Sequence, residues 1–330
     1  MHLIIDADPI VYRCGFAAER SEYHLIYWDG SGENQIHFAP DQKQTAGDKM
    51  KKWLAANPDV EVMDKQREVY PEREDYALEA VRTQLYSIEK SVREKYGVKE
   101  FTDISVILSG PGNYREHIAK RFPYKGNRDS DHKPYWYQSI RNYLTGTWGA
   151  AVVSGREADD ECSIIAWSYL DASANSSDSL HCSKLSSMPE FCVATIDKDL
   201  DQIPGPHYNY LKFVHYDQPF EAAERFFYQQ CISGDSTDGI PGCFKLGDTR
   251  ARRIVESVGL SGRDSSGQLW NAVVAAYKES TKRPGCPYTE GDAAAAALEC
   301  ARLVYLQQKV GELWTPPGEP KQWLEGYGDD

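Results

Sequence analysis

Four acidic side chains lie within five residues in the segment GREADDECSII, which spans residues 155–165. They are Glu157, Asp159, Asp160 and Glu161, and an apolar run follows them. Acidic side chains in the first turn of a helix are stabilised by the helix dipole, so a structural explanation exists. The chemical explanation is that crowded carboxylates resist ionisation unless a cation lies among them. The segment taken alone leaves both explanations open.

Three further acidic pairs follow a strand-like or helical segment: Asp6 and Asp8, Asp197 and Asp199, and Asp235 and Asp238. In an open parallel sheet the carboxyl ends of the strands share one edge, where ligand sites gather. Turn preferences explain each pair in isolation. Together with Glu157, Asp159 and Asp160 the pairs make nine carboxylates, which could share one edge only around hard cations. Two Mg²⁺ or Mn²⁺ ions about 3.5–4 Å apart suit phosphodiester cleavage.

Strand-like runs alternate with helical patterns along the chain, which predicts an α/β fold with a mainly parallel central sheet flanked by helices. Strands are predicted at Leu3–Asp6, Ile104–Leu108, Ala151–Ser154, Cys192–Ile196 and Asn209–Val214, and a hairpin at His24–Phe38. Helices are predicted over residues 9–19, 44–56, 73–96, 221–232, 247–258, 267–279 and 292–307. Residues 114–145 are expected to be mostly helical and the Ser-rich residues 172–188 to be a surface insertion. The predicted domains are residues 1–218, an α/β domain, and 219–330, a helical region.

The composition is that of a globular protein of 330 residues with a net charge of −13 and eight cysteines. No apolar run reaches the ~18 residues of a membrane helix, and the N-terminus MHLIIDADPI lacks a signal-peptide pattern. The cysteines show no C-x-x-C pair, which favours reduced thiols and a cytoplasmic location. The acidic balance argues against nucleic acid as a partner unless the carboxylates bind metal ions.

Residues 115–133 have the opposite charge balance, with six Lys or Arg and three acidic residues. The basic residues are Arg115, Lys120, Arg121, Lys125, Arg128 and Lys133. Five aromatic residues lie within or just beyond the segment: Phe122, Tyr124, Tyr135, Trp136 and Tyr137. Cations interleaved with base-stacking aromatic rings favour a single-stranded nucleic-acid contact, including one by Arg115, Lys120 and Arg121. A solvated basic surface is the alternative.

The ordered set of motifs resembles the 5′ nuclease superfamily of flap endonucleases and 5′→3′ exonucleases, most closely those of bacteriophages. The motifs are Asp6-Ala-Asp8, YREHIAKRFPYKGNR (114–128), GREADDE (155–161), IDKDLDQIPG (196–205) and ISGDSTDGIPGCFKLGDTRA (232–251). The resemblance implies a metal-dependent nuclease that acts on DNA 5′ ends, on 5′ flaps and on RNA in RNA–DNA hybrids. Primer removal or end resection in replication, a monomeric state and a location in the host cytoplasm would accompany it.

The same resemblance implies roles for individual residues. A first metal ion would be bound by Asp6, Glu157 and Asp159, and Asp8 would join through water. A second would be bound by Asp160, Asp197, Asp199 and Asp238, with Asp235 nearby. Residues 114–145 match the family's arch, in which Tyr124 would stack on the terminal base and Lys125 and Arg128 would contact the scissile phosphate. A helix–hairpin–helix-type element near residues 232–256 would bind duplex DNA through Gly242, Lys245, Gly247, Thr249 and Arg250, and the same element would hold a potassium ion.

One position departs from the family pattern: LSGPGN has Gly110 where an acidic residue is usual. This departure motivates a second hypothesis, a non-catalytic protein that binds flaps or junctions. A ribonuclease of the PIN type is a third, although it would not explain the glycine-rich element or the helical C-terminal region. A dinucleotide-binding protein is disfavoured because DADPIVY, and not G-x-G-x-x-G, follows the first strand.

Overall fold

The computed structural model describes residues 1–126, 133–175, 189–259 and 265–325. The chain divides into two compact units, and each is described by itself. The first unit comprises Met1–Pro9, Ile88–Ser130 and Gly149–Asp330, and the second comprises Ile10–Ser87 and Asp131–Trp148. The predicted domain boundary between residues 218 and 219 lies inside the first unit and stays a prediction.

The helices and strands follow one another along the whole chain. The strands are β1 (His2–Asp6), β2 (Glu19–Trp28), β3 (Glu33–Phe38), β4 (Glu61–Pro71), β5 (Asp103–Ser109), β6 (Ala151–Val153), β7 (Phe191–Thr195), β8 (Gly205–Asn209), β9 (Val214–Gln218), β10 (Glu312–Leu313) and β11 (Gln322–Trp323). The α-helices are α1 (Asp8–Ala17), α2 (Ala46–Ala56), α3 (Glu74–Tyr96), α4 (Tyr114–Ile118), α5 (Tyr137–Trp148), α6 (Ala158–Asn175), α7 (Phe220–Ser233), α8 (Asp248–Glu256), α9 (Ser265–Ser280) and α10 (Ala293–Val304). A 3₁₀-helix spans Lys198–Gln202.

Six strands form the central sheet of the first unit, in the order β6-β5-β1-β7-β8-β9. The pairings from β6 through β8 are parallel, and β8 pairs with β9 antiparallel. All five residues of β1 and all five of β7 are buried, as expected for central strands that are covered on both faces. The predicted α/β fold with a mainly parallel sheet is confirmed.

Helices cover the sheet and form a second core in the same unit. Cys162 and Ala166 of α6 pack with Ile4 and Val193 of the sheet. Helices α7 to α10 enclose a separate cluster that includes Leu269. Burying one large aliphatic side chain contributes about 1.5–3 kcal/mol, so each cluster is a substantial source of stability. The helical character predicted for the C-terminal region is therefore confirmed.

The strand predicted at Asn209–Val214 is wrong, because this segment contains the turn between β8 and β9. The side-chain oxygen of Asn209 accepts hydrogen bonds from the backbone N–H groups of Leu211 and Lys212, at 3.1 and 2.9 Å. Such a local bond competes with strand pairing and reverses the chain. Phe213 completes the turn in the left-handed region, with φ of 57°.

In the segment predicted as mostly helical, residues 114–145, the described residues form two helices, α4 and α5, and α5 begins at Tyr137. Residues 119–126 and 133–136 are not helical. Pro123 and Pro134 fall in these stretches, and proline disfavours the helical conformation of the residue before it. Residues 127–132, with Arg128, lie outside the described residues, as does most of the Ser-rich segment, residues 176–188.

The second unit contains the predicted hairpin, which is confirmed as the antiparallel pair β2 and β3. The Asp29 carboxylate accepts hydrogen bonds from the backbone of Ser31 and Gly32 and closes the loop between the strands. Strand β4, which the sequence pattern did not predict, pairs with the other side of β2. Helix α2 covers one face of this sheet, where Met50 packs with the hairpin.

Two predictions from composition can be compared with the described ranges. The seven cysteines within them are free. No helix in those ranges has both the length and the apolar character needed to cross a bilayer.

Candidate active site

The carboxyl ends of three adjacent strands bring the first acidic pair into contact with polar groups of both neighbouring strands. Asp6 ends β1, and its Oδ2 accepts a hydrogen bond from Thr195 Oγ1 at the end of β7, at 3.0 Å. Asp8 Oδ2 accepts the backbone N–H of Ser109 at the end of β5, at 3.1 Å. The sheet edge that the sequence predicted as the ligand site is therefore an acidic site.

Asp6 lies in an environment that opposes its ionisation. Burial and the charges of Asp8 and Asp197 together raise the pKa of Asp6 to about 8, although the hydrogen bond from Thr195 lowers it. An acidic group in this state becomes a carboxylate readily only when a cation approaches it.

Helix α6 begins at this same edge. Gly155 adopts a left-handed conformation, with φ of 76°, and turns the chain from β6 toward the helix. Ser109 Oγ accepts the N–H of Ala158 at 2.8 Å, which satisfies one of the free donors of the first turn. Asp159, Asp160 and Glu161 lie in that turn. The position of this acidic segment thus agrees with both explanations given for it, the helix dipole and the shared edge.

Asp160 has a structural partner. Its carboxylate forms a two-pronged ion pair with Arg115, with N–O distances of 2.5 and 2.8 Å. The two side chains are buried, at 0% and 2% exposure. Arg115 also donates to the backbone carbonyls of Leu303 and Tyr305, at 2.8 and 2.7 Å. The prediction that Arg115 contacts DNA is corrected here, because its guanidinium lies in the interior and links α4, α6 and the end of α10.

Tyr124 and Lys125 lie against the carboxylates of Glu157 and Asp238. The Tyr124 hydroxyl is 2.7 Å from Glu157 Oε2 and 2.8 Å from Asp238 Oδ2. A phenol has one proton, so it can donate to only one of these oxygens at a time. Lys125 forms an ion pair with Glu157, and its Nζ is 3.6 Å from Asp238 Oδ2. The aromatic and basic pair predicted from the arch motif therefore reaches the acidic cluster.

The pKa values of Glu157 and Asp159 are shifted in opposite directions, although the two residues are only two positions apart. Burial alone would raise the pKa of Glu157, but the charges of Arg115 and Lys125 outweigh it and lower the pKa. Burial and the neighbouring Glu157 and Asp160 carboxylates raise the pKa of Asp159 well above its usual value. At Asp159, unlike at Glu157, the nearby positive charges do not offset the effects of burial and of the neighbouring carboxylates.

Lys198 forms ion pairs with two further acidic residues of the site, Asp199 and Asp235. Its Nζ lies 3.2 Å from Asp199 Oδ1 and 3.1 Å from Asp235 Oδ2. Asp199 also accepts the Gln230 side-chain amide at 2.6 Å. Burial, with Asp197 and Asp235 adding to it, raises the pKa of Asp199 to about 6 in spite of Lys198.

Sequence reasoning did not select Lys198 and Gln230 as site residues. Lys198 stands between two acidic residues in IDKDL, which was an available signal. Gln230 lies in the middle of α7 and has no local signal. Asp197 caps the 3₁₀-helix by accepting the N–H of Asp199 at 2.9 Å.

The donor set is suited to divalent cations. A small cavity is lined by five of the predicted ligands: Glu157, Asp159, Asp199, Asp235 and Asp238. Carboxylate oxygens are the ligands that Mg²⁺ and Mn²⁺ prefer. Three basic side chains, Arg115, Lys125 and Lys198, form ion pairs within a set of nine acidic residues. In this arrangement no three His, Cys, Asp or Glu side chains of the described ranges are placed to hold one metal ion.

Gly110 has a steric reason to be glycine. Its N–H donates to the carbonyl of Val153 at 2.6 Å. A Cβ at this position would lie 2.3 Å from that same oxygen. No acidic side chain can stand at position 110 while β5 and β6 keep this spacing, so the departure from the family pattern is built into the sheet.

The glycine-rich element connects α7 to α8. Gly234 and Gly242 are both left-handed, with φ of 68° and 63°, and a Cβ on Gly242 would lie 2.4 Å from the Gly234 nitrogen. The backbone segments at Gly234 and Gly242 are therefore in direct contact. Gly247 precedes α8 without a side-chain cap. The predicted DNA-contacting residues that follow Gly242 in the chain are exposed: Lys245, Gly247, Thr249 and Arg250.

The two predicted contacts of the arch base, Lys120 and Arg121, are also exposed. Their backbone N–H groups both donate to Glu299 Oε1 at 2.8 Å. The Arg121 guanidinium pairs with Glu299 Oε2 at 2.5 Å. Their contact with DNA remains a prediction, as does that of Arg128, which lies outside the described residues.

No protein-family model matches the chain, and no curated protein matches it. Its structure is similar to that of a bacteriophage T5 protein crystallised with metal ions, at 14% identity and a TM-score of 0.45, over 93% of this chain and 88% of that one. It is similar to the T5 flap endonuclease in a complex with DNA and metal ions, at 13% identity and a TM-score of 0.43, over 91% and 98% of the two chains.

A third similarity is to the T5 5′-exonuclease with bound zinc ions, at 15% identity and a TM-score of 0.38, over 67% of this chain and 90% of that one. At these identities and scores the similarities assign neither an activity nor a role to any residue. Two of these three structures are described as a flap endonuclease and a 5′-exonuclease of bacteriophage T5.

Proposed function

We propose that this protein is a metal-dependent 5′ nuclease that hydrolyses phosphodiester bonds at DNA 5′ ends and 5′ flaps. The observation that carries the proposal is the convergence of acidic residues from three separate segments on one small cavity, where Tyr124 and Lys125 contact two of them. Charged groups that share a site and cannot all ionise are typical of catalytic centres.

The proposed metal ligands are the predicted carboxylates other than Asp160. Asp6, Glu157 and Asp159 would hold one Mg²⁺ or Mn²⁺ ion, with Asp8 through water. Asp197, Asp199 and Asp238 would hold another, with Asp235 beside them. When bound, such ions lower the pKa of a water molecule and stabilise the leaving oxygen. Asp160, which was expected among the second set, is proposed here to position the others through Arg115.

Lys125 and Tyr124 are proposed to act on the substrate. Lys125, which pairs with Glu157 and lies 3.6 Å from Asp238 Oδ2, would be free to contact a phosphate oxygen if these two carboxylates held metal ions instead. Positive charge at that oxygen stabilises the charge that develops during cleavage. Tyr124 is proposed to stack on the terminal base, and its hydroxyl would orient Glu157 or Asp238. Arg128 is proposed to share the phosphate contact.

The duplex is proposed to bind at the start of α8. Backbone N–H groups after Gly247 are free to approach a phosphate. Lys245, Thr249 and Arg250 surround that position with exposed side chains. Contacts of this kind position the backbone and do not select a sequence. Cleavage of RNA in RNA–DNA hybrids, a potassium ion at the glycine-rich element and a role in replication belong to the same proposal.

A non-catalytic flap-binding protein is the second candidate. It is favoured by Gly110, which cannot carry the acidic side chain usual in the family, and by the basic side chains among the carboxylates. The two candidates differ in whether added metal produces cleavage.

The deciding experiment is cleavage of a 5′-labelled flap and a matched blunt duplex with Mg²⁺ or Mn²⁺. Asp199→Asn should lower the cleavage rate by at least about 100-fold, which corresponds to about 2.7 kcal/mol of transition-state stabilisation. Asp201→Asn is the matched control, because Asp201 lies in the same 3₁₀-helix but accepts the Tyr216 hydroxyl at 2.6 Å. Binding of both substrates without any cleavage would refute the nuclease and support the binding protein.

A further inference from the structure

A cavity of about 340 Å³ has Tyr124 among its lining residues, as does the small cavity of the acidic cluster. The base of the arch segment, the glycine-rich loop and helices α9 and α10 all contribute to its lining. Its principal walls are Phe122, Tyr124, Phe244, Tyr288 and Leu303. This volume is at the lower end of the range for small-molecule sites, so it suits a ligand of nucleotide size.

The aromatic walls are held in place by hydrogen bonds. The N–H of Phe244 donates to the Tyr288 hydroxyl at 3.1 Å, and Arg283 donates to the carbonyl of Phe244 at 2.8 Å. The Tyr288 hydroxyl is in turn 2.6 Å from Ser280 Oγ. Phe122 lines the same cavity and is 41% exposed. The cavity is thus a preformed aromatic site with one accessible wall.

The rim of the cavity carries one uncompensated positive charge. Arg121 lines the cavity, but its guanidinium is paired with Glu299. Lys245 also lines it, with Nζ 4.9 Å from the centre of the Phe244 ring and 3.4 Å from the Pro284 carbonyl. Lys245 forms no ion pair with any residue that the structure describes. An aromatic cavity with an available cation at its rim fits an aromatic ligand that carries a negative charge.

Tyr124 connects this cavity to the acidic cluster. Its ring lines the cavity, and its hydroxyl contacts Glu157 and Asp238. Ile240 likewise lines both cavities. In a DNA strand with one phosphate at the carboxylates, the adjoining nucleotide would therefore be separated from the aromatic cavity by the width of a single side chain.

We propose that the cavity receives one unpaired nucleobase of the strand that is cut, with Lys245 on the phosphate of that nucleotide. The proposal rests on the proposed nuclease function and adds to it a binding site for a base beside the scissile phosphate. Stacking between Phe122 and Phe244 accepts any base, because every base has a π face. The site would thus hold the cut strand in place without reading its sequence.

The first test uses flap substrates that carry a single abasic nucleotide, moved one position at a time across the cleavage point. Base–aromatic stacking of about 1–3 kcal/mol predicts that one position slows single-turnover cleavage by about 5-fold to 150-fold. Phe122→Leu should slow cleavage of the intact flap and abolish the abasic effect at that position. Phe244→Leu is the second variant, and Phe220→Leu, which replaces an exposed Phe of α7, is the control that keeps the abasic effect.

The second test does not require cleavage. A flap with 2-aminopurine at the sensitive position, or at each position in turn, is bound in CaCl₂, and stacking in the cavity quenches its fluorescence. Phe122→Leu should restore the fluorescence and Phe220→Leu should not. Cleavage with no abasic effect, or quenching that persists in both Phe122→Leu and Phe244→Leu, overturns the cavity proposal. Quenching that depends on Phe122 without any metal-dependent cleavage overturns the nuclease and supports the cavity.

Discussion

Replacing Arg115 by Met removes the ion pair beneath the acidic site while keeping most of the side-chain volume. Arg115 and Asp160 are buried, and Arg115 also satisfies the carbonyls of Leu303 and Tyr305. Breaking a buried pair by removing one partner costs about 3–5 kcal/mol, because the other charge remains in the interior. We therefore expect Arg115→Met to lower the free energy of unfolding by about 3–5 kcal/mol.

Asp160→Asn should cost less, and the structure gives the reason. Arg115 has a second acidic neighbour, since its Nη1 lies 3.7 Å from Glu157 Oε2. It also keeps its two carbonyl acceptors. The loss is then that of charge-assisted hydrogen bonds, about 1.5–3 kcal/mol. The double variant Arg115→Met/Asp160→Asn should lose less than the sum of the single losses, because neither partner then remains as an unpaired buried charge.

The assay is equilibrium unfolding in urea, followed by far-UV circular dichroism and by tryptophan fluorescence. Arg252→Met is the control, because Arg252 is an exposed residue of α8 that pairs with Glu256 of the same helix. That variant should leave the unfolding midpoint unchanged. A loss below about 1 kcal/mol for Arg115→Met, or a larger loss for Asp160→Asn than for Arg115→Met, would refute the structural role argued for this pair.

Three further predictions concern packing, pH and metal. Gly110→Ala should lower the free energy of unfolding by about 1–3 kcal/mol, since its Cβ would collide with the Val153 carbonyl, and urea unfolding measures this. Burial lowers the pKa of His207, so the unfolded chain binds the extra proton and stability should fall as pH drops below about 6.5. His207→Gln should flatten that dependence in thermal unfolding between pH 7 and 5, and an unchanged slope would count against it. Mg²⁺ binding should release protons at pH 7 and tighten as pH rises, because the pKa is raised to about 8 for Asp6 and to about 6 for Asp199. Calorimetry in two buffers of different ionisation enthalpy detects this release, and a buffer-independent heat would contradict it.

Local patterns were sufficient for most of the fold. A short apolar run that ends in the acidic Asp6 marks β1, and the strand-like runs on either side of DGSG mark the hairpin of β2 and β3. These signals depend on neighbouring residues only, and so they can be read from a short window. The strand predicted at Asn209–Val214 failed for a local reason as well, because the Asn209 side chain binds the backbone and turns the chain.

The exposed strand β4 shows a different limit. Residues 61–66 are all exposed, so this strand has no buried face to produce an apolar alternation. It is a strand because β2 supplies hydrogen-bonding partners along it. Tertiary pairing therefore decided its structure.

By itself, the sequence determined that acidic residues follow the strands of a mainly parallel sheet, because strand burial and turn chemistry are local. Only the tertiary structure decided how those acidic residues are paired. Arg115 reaches Asp160 across 45 positions, and Lys198 reaches Asp235 across 37. The Val153 carbonyl of the adjacent strand leaves no room for a side chain at position 110. Such pairings depend on which distant side chains share a buried volume, and the desolvation of charges there determines which carboxylates are neutralised and which remain for a metal ion.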